Sequence, residues 1–192
     1  MAEEAPLVVG VSGASGAPVA VRVLAALAEA AVPVALVVSE GANAVLREEC
    51  GRSADSLAPY ARAVYSDHDL GAPIASGSRP SRGMVVVPCS AHTAAQIAVG
   101  LCGTLLTRAA HVHLKERRRL VVVPRESPLP TTLLRNLTTL SELGVVVLDA
   151  APPYYLHPRT VDDLTDYLAG KVLDQFGIPH RLYRGWKAPE EA

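Results

Sequence analysis

Aromatic residues are scarce in this 192-residue chain: six Tyr, one Phe and one Trp make up 4% of it. Because 49% of the chain is hydrophobic, the core has to be built from Val, Leu, Ile and Ala, and it is large enough for one domain. An excess of one charge is also missing. Eighteen Lys and Arg stand against nineteen Asp and Glu, so no global basic field exists to hold nucleic acid. The Arg117, Arg118, Arg119 run reads as a solvated helix end. The three cysteines, Cys50, Cys89 and Cys102, form no CxxC; an odd count without a leader argues against a disulfide framework. No His/Cys cluster has metal-ligand spacing, so no metal is expected. The start of the chain has no basic region followed by an apolar stretch, which leads us to expect a cytoplasmic protein. Residues 83–107 lack Asp, Glu, Lys and Arg, yet Pro88, Ser90, His92, Gln96 and three glycines interrupt them. A buried strand, a polar turn and a buried helix account for that stretch better than a membrane span. The apolar content excludes disorder.

What is present is an alternation of short apolar runs and helix-like segments. Strands are expected at Pro6–Val11, Val32–Val38, Met84–Val87, Leu120–Val123 and Val145–Leu148. Helices are expected at Pro18–Ala31, from Asn43 to Glu49, at Thr93–Gly103, Leu105–Arg117, Thr131–Leu143 and Val161–Phe176. Residues 51–81 read as irregular. Continuous apolar strands alternating with helices indicate a parallel sheet covered on both faces. One domain is expected over residues 1–178, followed by a C-terminal arm over 179–192.

Open parallel sheets bind ligands at the carboxyl ends of their strands, which directs attention to the residues following each one. Gly10 to Gly16 follow the first strand, and their small side chains let a backbone turn approach an anion at the next helix start. An ordinary tight turn explains the same residues, and the G-x-x-G-x-x-G spacing is not the dinucleotide fingerprint. Ser39 follows the second strand; it either caps the next helix or touches a ligand. Glu49 reads as a surface carboxylate. After the third strand, Ser90 and Thr93 can cap a helix or hold a phosphate. Cys89 is a weak nucleophile candidate with only His92 as a neighbouring base. Arg125 and Glu126 follow the fourth strand. An Arg-Glu pair is costly to bury for packing alone, Arg suits phosphate, and Glu126 is a candidate proton shuttle. Tyr154 and Tyr155 follow two prolines after the last strand.

Taken in order, these segments resemble the flavin prenyltransferase family, the UbiX/Pad1-like proteins. The resemblance rests on Ser-Gly-Ala-Ser-Gly at 12–16, Ala-Ser-Gly-Ser at 75–78 and Gly-Met-Val-Val-Val-Pro-Cys-Ser at 83–90. Leu-Lys-Glu-Arg-Arg at 114–118, Val-Pro-Arg-Glu-Ser-Pro-Leu at 123–129 and Leu-Asp-Gln-Phe-Gly-Ile at 173–178 complete it. It implies a three-layer flavodoxin-like or Rossmann-like α/β fold. It also implies transfer of a dimethylallyl group from dimethylallyl phosphate to N5 and C6 of reduced FMN. The prenylated FMN would pass to a UbiD-type decarboxylase, and the protein would be a dodecamer of trimers, free of metal, with sites between subunits. Carried over residue by residue, Gly13, Ala14, Ser15, Ser39, Ser90, Ala91, His92, Thr93 and Arg125 would contact FMN. Tyr155, Lys171, Arg108 and Lys115 would hold the donor phosphate. Glu126 would handle protons at the leaving phosphate, Ser15 and Glu49 would assist ring closure, and Trp186 would close over the isoprenoid. Departures from the family pattern stand at His92, Leu133, Tyr154 and Lys171, the last keeping the charge of the usual Arg without its two-pronged grip.

Two other functions are compatible with such a chain. One is a flavin-dependent decarboxylase acting on a peptidyl-cysteine, which uses an early His base; here no His precedes His68. The other is a non-enzymatic flavin-carrying subunit of a decarboxylase complex, against which the set of charged residues argues.

Overall fold

The computed structural model describes residues 4–186. Six parallel strands form one sheet in the order β3-β2-β1-β4-β5-β6. They are β1 (Leu7–Val11), β2 (Val34–Val38), β3 (Ala63–Ser66), β4 (Gly83–Cys89), β5 (Leu120–Pro124) and β6 (Val146–Val147). Every residue of β1, β4 and β5 is buried. That is why these strands read as unbroken apolar runs: helices cover both faces of the sheet. Alternate residues serve alternate faces. Leu7, Val9 and Val11 pack with α1 (Ala17–Glu29), α2 (Glu40–Cys50) and α6 (Val161–Asp174). Val8, Val86 and Val122 pack with α3 (Ala91–Ala98), α4 (Leu105–Lys115) and α5 (Thr131–Glu142). The result is the three-layer α/β architecture expected from the sequence.

The structure corrects several boundaries. Strand β3 lies inside the segment read as irregular. It is an edge strand whose exposure alternates, with Val64 49% exposed, so it lacks the continuous apolar run of its neighbours. Helix α3 stops at Ala98 rather than Gly103, and Gly100 adopts a left-handed φ of 75°, which a helix cannot continue through. Helix α2 begins three residues before Asn43, because Ser39 caps it by accepting the Ala42 N–H at 3.2 Å. Among the described residues, no helix is long and apolar enough to cross a membrane.

The sheet order reverses at β1. From β1 the chain moves outward to β2 and β3, then returns to pair β4 on the other side of β1. The loops leaving β1 and β4 therefore diverge, and a crevice opens between them at the carboxyl edge, where open α/β sheets bind ligands.

Candidate active site

Ser12, the first residue beyond β1, ties the two walls of this crevice together. Its Oγ donates to the Pro88 carbonyl at 2.9 Å and accepts the Ser90 N–H at 2.7 Å, and it is 1% exposed. Ser90 in turn caps α3, accepting the Thr93 N–H at 3.1 Å and donating its hydroxyl to Thr93 at 2.9 Å. Sequence reading took Ser12 only as part of the small-residue turn and gave it no separate role, although its place as the first hydroxyl after the central strand was the available signal. On the other wall, Gly13 lies against the start of α2. A Cβ on Gly13 would stand 3.0 Å from the Gly41 carbonyl carbon, so only glycine lets the two backbones come this close. Ala14 is buried, while Gly13 itself is exposed.

Glu49 is more than a surface carboxylate. Helix α1 has no side-chain cap of its own; its N-cap residue is Gly16, in a left-handed conformation. The Gly16 and Ala17 N–H groups, which the sequence offers to a phosphate, are donated instead to Glu49 Oε2 at 2.9 and 2.8 Å. The Ser15 hydroxyl also donates to this carboxylate, and Arg125 adds a favourable charge. Partial burial pushes the Glu49 carboxyl up, but these four groups outweigh it and hold it below the ordinary carboxylate value. Ser15, Glu49 and Arg125 thus form one group at the carboxyl edge. Arg125 and Glu126 are exposed just past β5, and Glu126 Oε1 accepts the Ser127 N–H at 3.2 Å.

Cysteine chemistry loses its support here. Cys89 is fully buried, and burial pushes its thiol up to about 12, which leaves almost no thiolate at neutral pH. His92 is exposed, lining a groove with Arg135 and Asn136 of α5. His113 is spoken for as well: its ring nitrogens bond the Ala109 carbonyl at 2.7 Å and Ser81 Oγ at 2.8 Å. Among the described residues, no group of three or more His, Cys, Asp or Glu is placed to hold a metal ion.

The remaining site candidates lie elsewhere in the chain. Arg108 and Lys115 are on α4, in the layer opposite α6. Arg108 Nε donates to the Ala75 carbonyl at 3.2 Å, and Lys115 pairs with Glu116. Lys171 is on α6, ten residues past its start and hence about 15 Å along its axis. The far end of α6 lies toward the amino edge of the sheet, since the Phe176 ring sits against Gly83 at the start of β4. Around Lys171 the structure gathers a group that the sequence did not signal. Asp174 Oδ2 accepts the Tyr183 hydroxyl at 2.5 Å and lies 3.4 Å from Lys171 Nζ, while Asp174 Oδ1 is 3.1 Å from His180 Nε2. Tyr167 meets Tyr183 edge-on at 5.0 Å and is hydrogen-bonded to Tyr155. Tyr155 in turn meets Trp186 edge-on at 5.2 Å. Tyr167 and Tyr183 are therefore links between Lys171 and Tyr155. Within one chain the predicted residues fall into three groups, not one, because the helices that carry them occupy different layers and levels. Residues 187–192 of the expected arm lie outside the described residues; residues 180–186 run back along α6 toward Tyr155.

A cavity of about 340 Å³ opens at the amino edge, lined by Arg62, Tyr65, Arg79, Ser81 and Arg118. It is remote from the carboxyl-edge crevice, and none of the predicted site residues lines it.

Residues 1–173 match the Flavoprotein family. The flavin prenyltransferase UbiX of Thermoplasma acidophilum is 47% identical over 180 residues, spanning 94% of this chain and 99% of that protein. The crystal structure of AnUbiX (PadA1) in complex with FMN and dimethylallyl pyrophosphate superposes with a TM-score of 0.94 at 37% identity, covering 98% of this chain and all of that one. A dodecameric FMN-dependent UbiX-like decarboxylase from Escherichia coli O157:H7 gives a TM-score of 0.93 at 43% identity, covering 95% of this chain and all of that one. Matches of that extent and identity leave one assignment: the chain belongs to the UbiX-type flavin prenyltransferase family.

Proposed function

We propose that the protein transfers a dimethylallyl group from dimethylallyl phosphate to reduced FMN, making prenylated FMN for a UbiD-type decarboxylase. The observation that carries this reading is the carboxyl-edge crevice itself. Its walls offer exposed backbone at Gly13, hydroxyls at Ser15, Ser39, Ser90 and Thr93, and the Arg125 guanidinium. That donor set suits a flavin with its ribityl and phosphate groups: hydroxyls and N–H groups for the sugar chain, a fixed cation for the phosphate, and small residues against the ring. Reduced FMN supplies the electron-rich N5 and C6 that accept the allyl group.

The protein's own groups act on the donor. Lys171, Arg108 and Lys115 are cations suited to the charge that grows on a departing phosphate. Tyr155 and Trp186 offer ring faces to the cation-like allyl fragment and exclude water from it. Glu126 gives or takes the proton at the leaving phosphate, and the ionised Glu49 accepts a proton through Ser15. Because these residues occupy three separate surfaces of one chain, we infer that the complete site forms between subunits of a homo-oligomer, a dodecamer. The carboxyl-edge crevice of one copy then meets Arg108 and Lys115, and Tyr155, Lys171 and Trp186, from its neighbours.

The test is anaerobic incubation of the purified protein with FMN, a reductant and dimethylallyl phosphate, followed by mass spectrometry of the flavin. A flavin heavier by one isoprenyl unit is expected; an unchanged flavin mass refutes the reading.

A further inference from the structure

Lys171 and Trp186 are fifteen positions apart, yet a continuous set of contacts joins them. At the Lys171 end of that set stands one carboxylate, outside the residues assigned above to donor or flavin. Asp174, on the last turn of α6, receives the Tyr183 hydroxyl at 2.5 Å, His180 Nε2 at 3.1 Å and the Lys171 ammonium at 3.4 Å. Partial burial pushes its carboxyl up, but the bonds from Tyr183 and His180 and the charge of Lys171 outweigh it, and Asp174 stays ionised well below neutral pH.

We propose that Asp174 is a positioning residue that latches the tail segment 180–186 along α6, so that Lys171, Tyr155 and Trp186 are presented together to the prenyl donor. The assignment rests on the prenyl-transfer reading given above. Three independent features of the structure support it. First, two of the three groups on Asp174 come from the tail and one from the helix, so the carboxylate ties the tail to the last turn of α6. Second, α6 is cut away where the tail crosses it. A Cβ on Gly170 would stand 2.6 Å from Tyr183 Cδ1 and 2.8 Å from His180 Cε1, so both rings lie directly on helix backbone. Third, the latched Tyr183 ring continues outward: it meets Tyr167 edge-on at 5.0 Å, Tyr167 is hydrogen-bonded to Tyr155, and Tyr155 meets Trp186 at 5.2 Å. Tyr155 is thus held from both sides, by a hydroxyl on α6 and by the end of the tail.

The Lys171 contact gives the latch a second role. Lysine is a point charge on a flexible stem and does not orient itself as a guanidinium fork does. The Asp174 carboxylate restrains the ammonium at 3.4 Å without the bidentate grip that would withhold it from a phosphate. A lysine at this position therefore depends on Asp174 for its aim.

The test uses the full-length protein and exploits Trp186 as its only tryptophan. Time-resolved anisotropy of that residue reads tail docking directly, and steady-state kinetics read the donor. Asp174→Ala is expected to release Trp186 into fast local motion and to raise KM for dimethylallyl phosphate at least about 10-fold, with the Kd for FMN within about twofold of wild type. Tyr183→Phe, which removes one of the three contacts and no charge, is expected to produce the same two changes at smaller amplitude. Asp174→Asn keeps an oxygen for Tyr183 and is expected to rescue the anisotropy while leaving KM raised. Unchanged Trp186 anisotropy in Asp174→Ala overturns the latch, and a freed tail with wild-type KM overturns the positioning role. Wild-type protein that makes no prenylated flavin at all refutes the prenyl-transfer reading instead, and the anisotropy still decides whether the latch exists.

Discussion

Replacing Glu49 tests the structural role that its hydrogen bonds give it. Its carboxylate stands in for the missing cap of α1, taking the Gly16 and Ala17 N–H groups at 2.9 and 2.8 Å. Loss of a helix cap costs about 0.5–2 kcal/mol, and a carboxylate at a helix start gains further from the helix dipole. Glu49 is largely solvent-exposed, so screening keeps the charge contribution small. Glu49→Ala is therefore expected to cost about 1–2 kcal/mol, which for a chain of this size lowers Tm by roughly 2–8 °C. Glu49→Gln keeps an oxygen acceptor and loses the charge, and is expected to lose roughly half as much. The pH dependence follows from the sign of the shift. The carboxyl titrates lower in the folded protein than its ordinary 4.5, so the unfolded chain takes up the proton first as pH falls. The stabilisation is fully present above about pH 5 and is lost as pH drops through the folded value. Thermal unfolding between pH 7 and pH 3, followed by near-ultraviolet circular dichroism at one fixed protein concentration, checks this. The wild-type advantage over Glu49→Gln should narrow in the acid limb. A Gln variant with wild-type Tm at pH 7, or a gap that widens toward pH 3, would show that Glu49 does not cap α1 in solution.

Three further substitutions probe the remaining parts. Ser12→Ala leaves the buried Ser90 N–H without its partner and takes one of two bonds from the Pro88 carbonyl, which keeps the Ser12 N–H at 3.2 Å, at a cost of about 1–3 kcal/mol; chemical denaturation at pH 7 measures it, and a loss under about 1 kcal/mol contradicts the geometry. Glu126→Gln should slow prenyl transfer at least about 10-fold while FMN stays bound, as read by single-turnover rates and by flavin content; wild-type rates would remove Glu126 from the mechanism. Gly170→Ala places a Cβ 2.6 Å from the Tyr183 ring, so the tail should lift and tryptic cleavage after Arg181 should accelerate, with unchanged cleavage counting against tail docking.

The fold was legible because both faces of the sheet are covered. Burial on two sides forces continuous apolar strands, and such runs at 6–11, 84–87 and 120–123 can be found by eye. Strand β3 escaped because an edge strand needs only alternate residues buried, and Ala63 and Tyr65 are too few to register as a pattern. The crevice residues were legible as well, since strand ends follow once the strands are known. From the residues alone Glu49 read as a surface carboxylate, and only the resemblance placed it in the site, because its partners, Gly16 and Ala17, are backbone N–H groups more than thirty positions away, and backbone carries no sequence signal. Asp174, quoted only within the 173–178 motif, was given no role for a related reason. Its motif partner in sequence is a helix end, whereas its partners in space, Tyr183 and His180, belong to a tail whose return along α6 no periodicity foretells. The spread of Arg108, Lys115 and Lys171 over different layers was beyond sequence reading entirely, since residue order does not say which face a helix takes.

The shortage of aromatics and their gathering after residue 150 have one physical origin. A sheet of Val and Leu under Ala- and Leu-rich helices packs without rings: the largest fully buried side chains are eleven Leu and one Met. Tyr155 is 42% exposed and Trp186 67% exposed, so these rings contribute little to the core. What they do have is each other, in a series from Tyr183 through Tyr167 and Tyr155 to Trp186. Rigid, amphipathic rings ordered by edge-to-face contacts and hydroxyl bonds make a surface that is shaped in advance yet still apolar enough to exclude water. A site that must hold a reactive allyl fragment away from solvent needs such a surface. In the donor pocket proposed above these rings would serve that end, since an aliphatic core leaves Tyr155 and Trp186 at the surface.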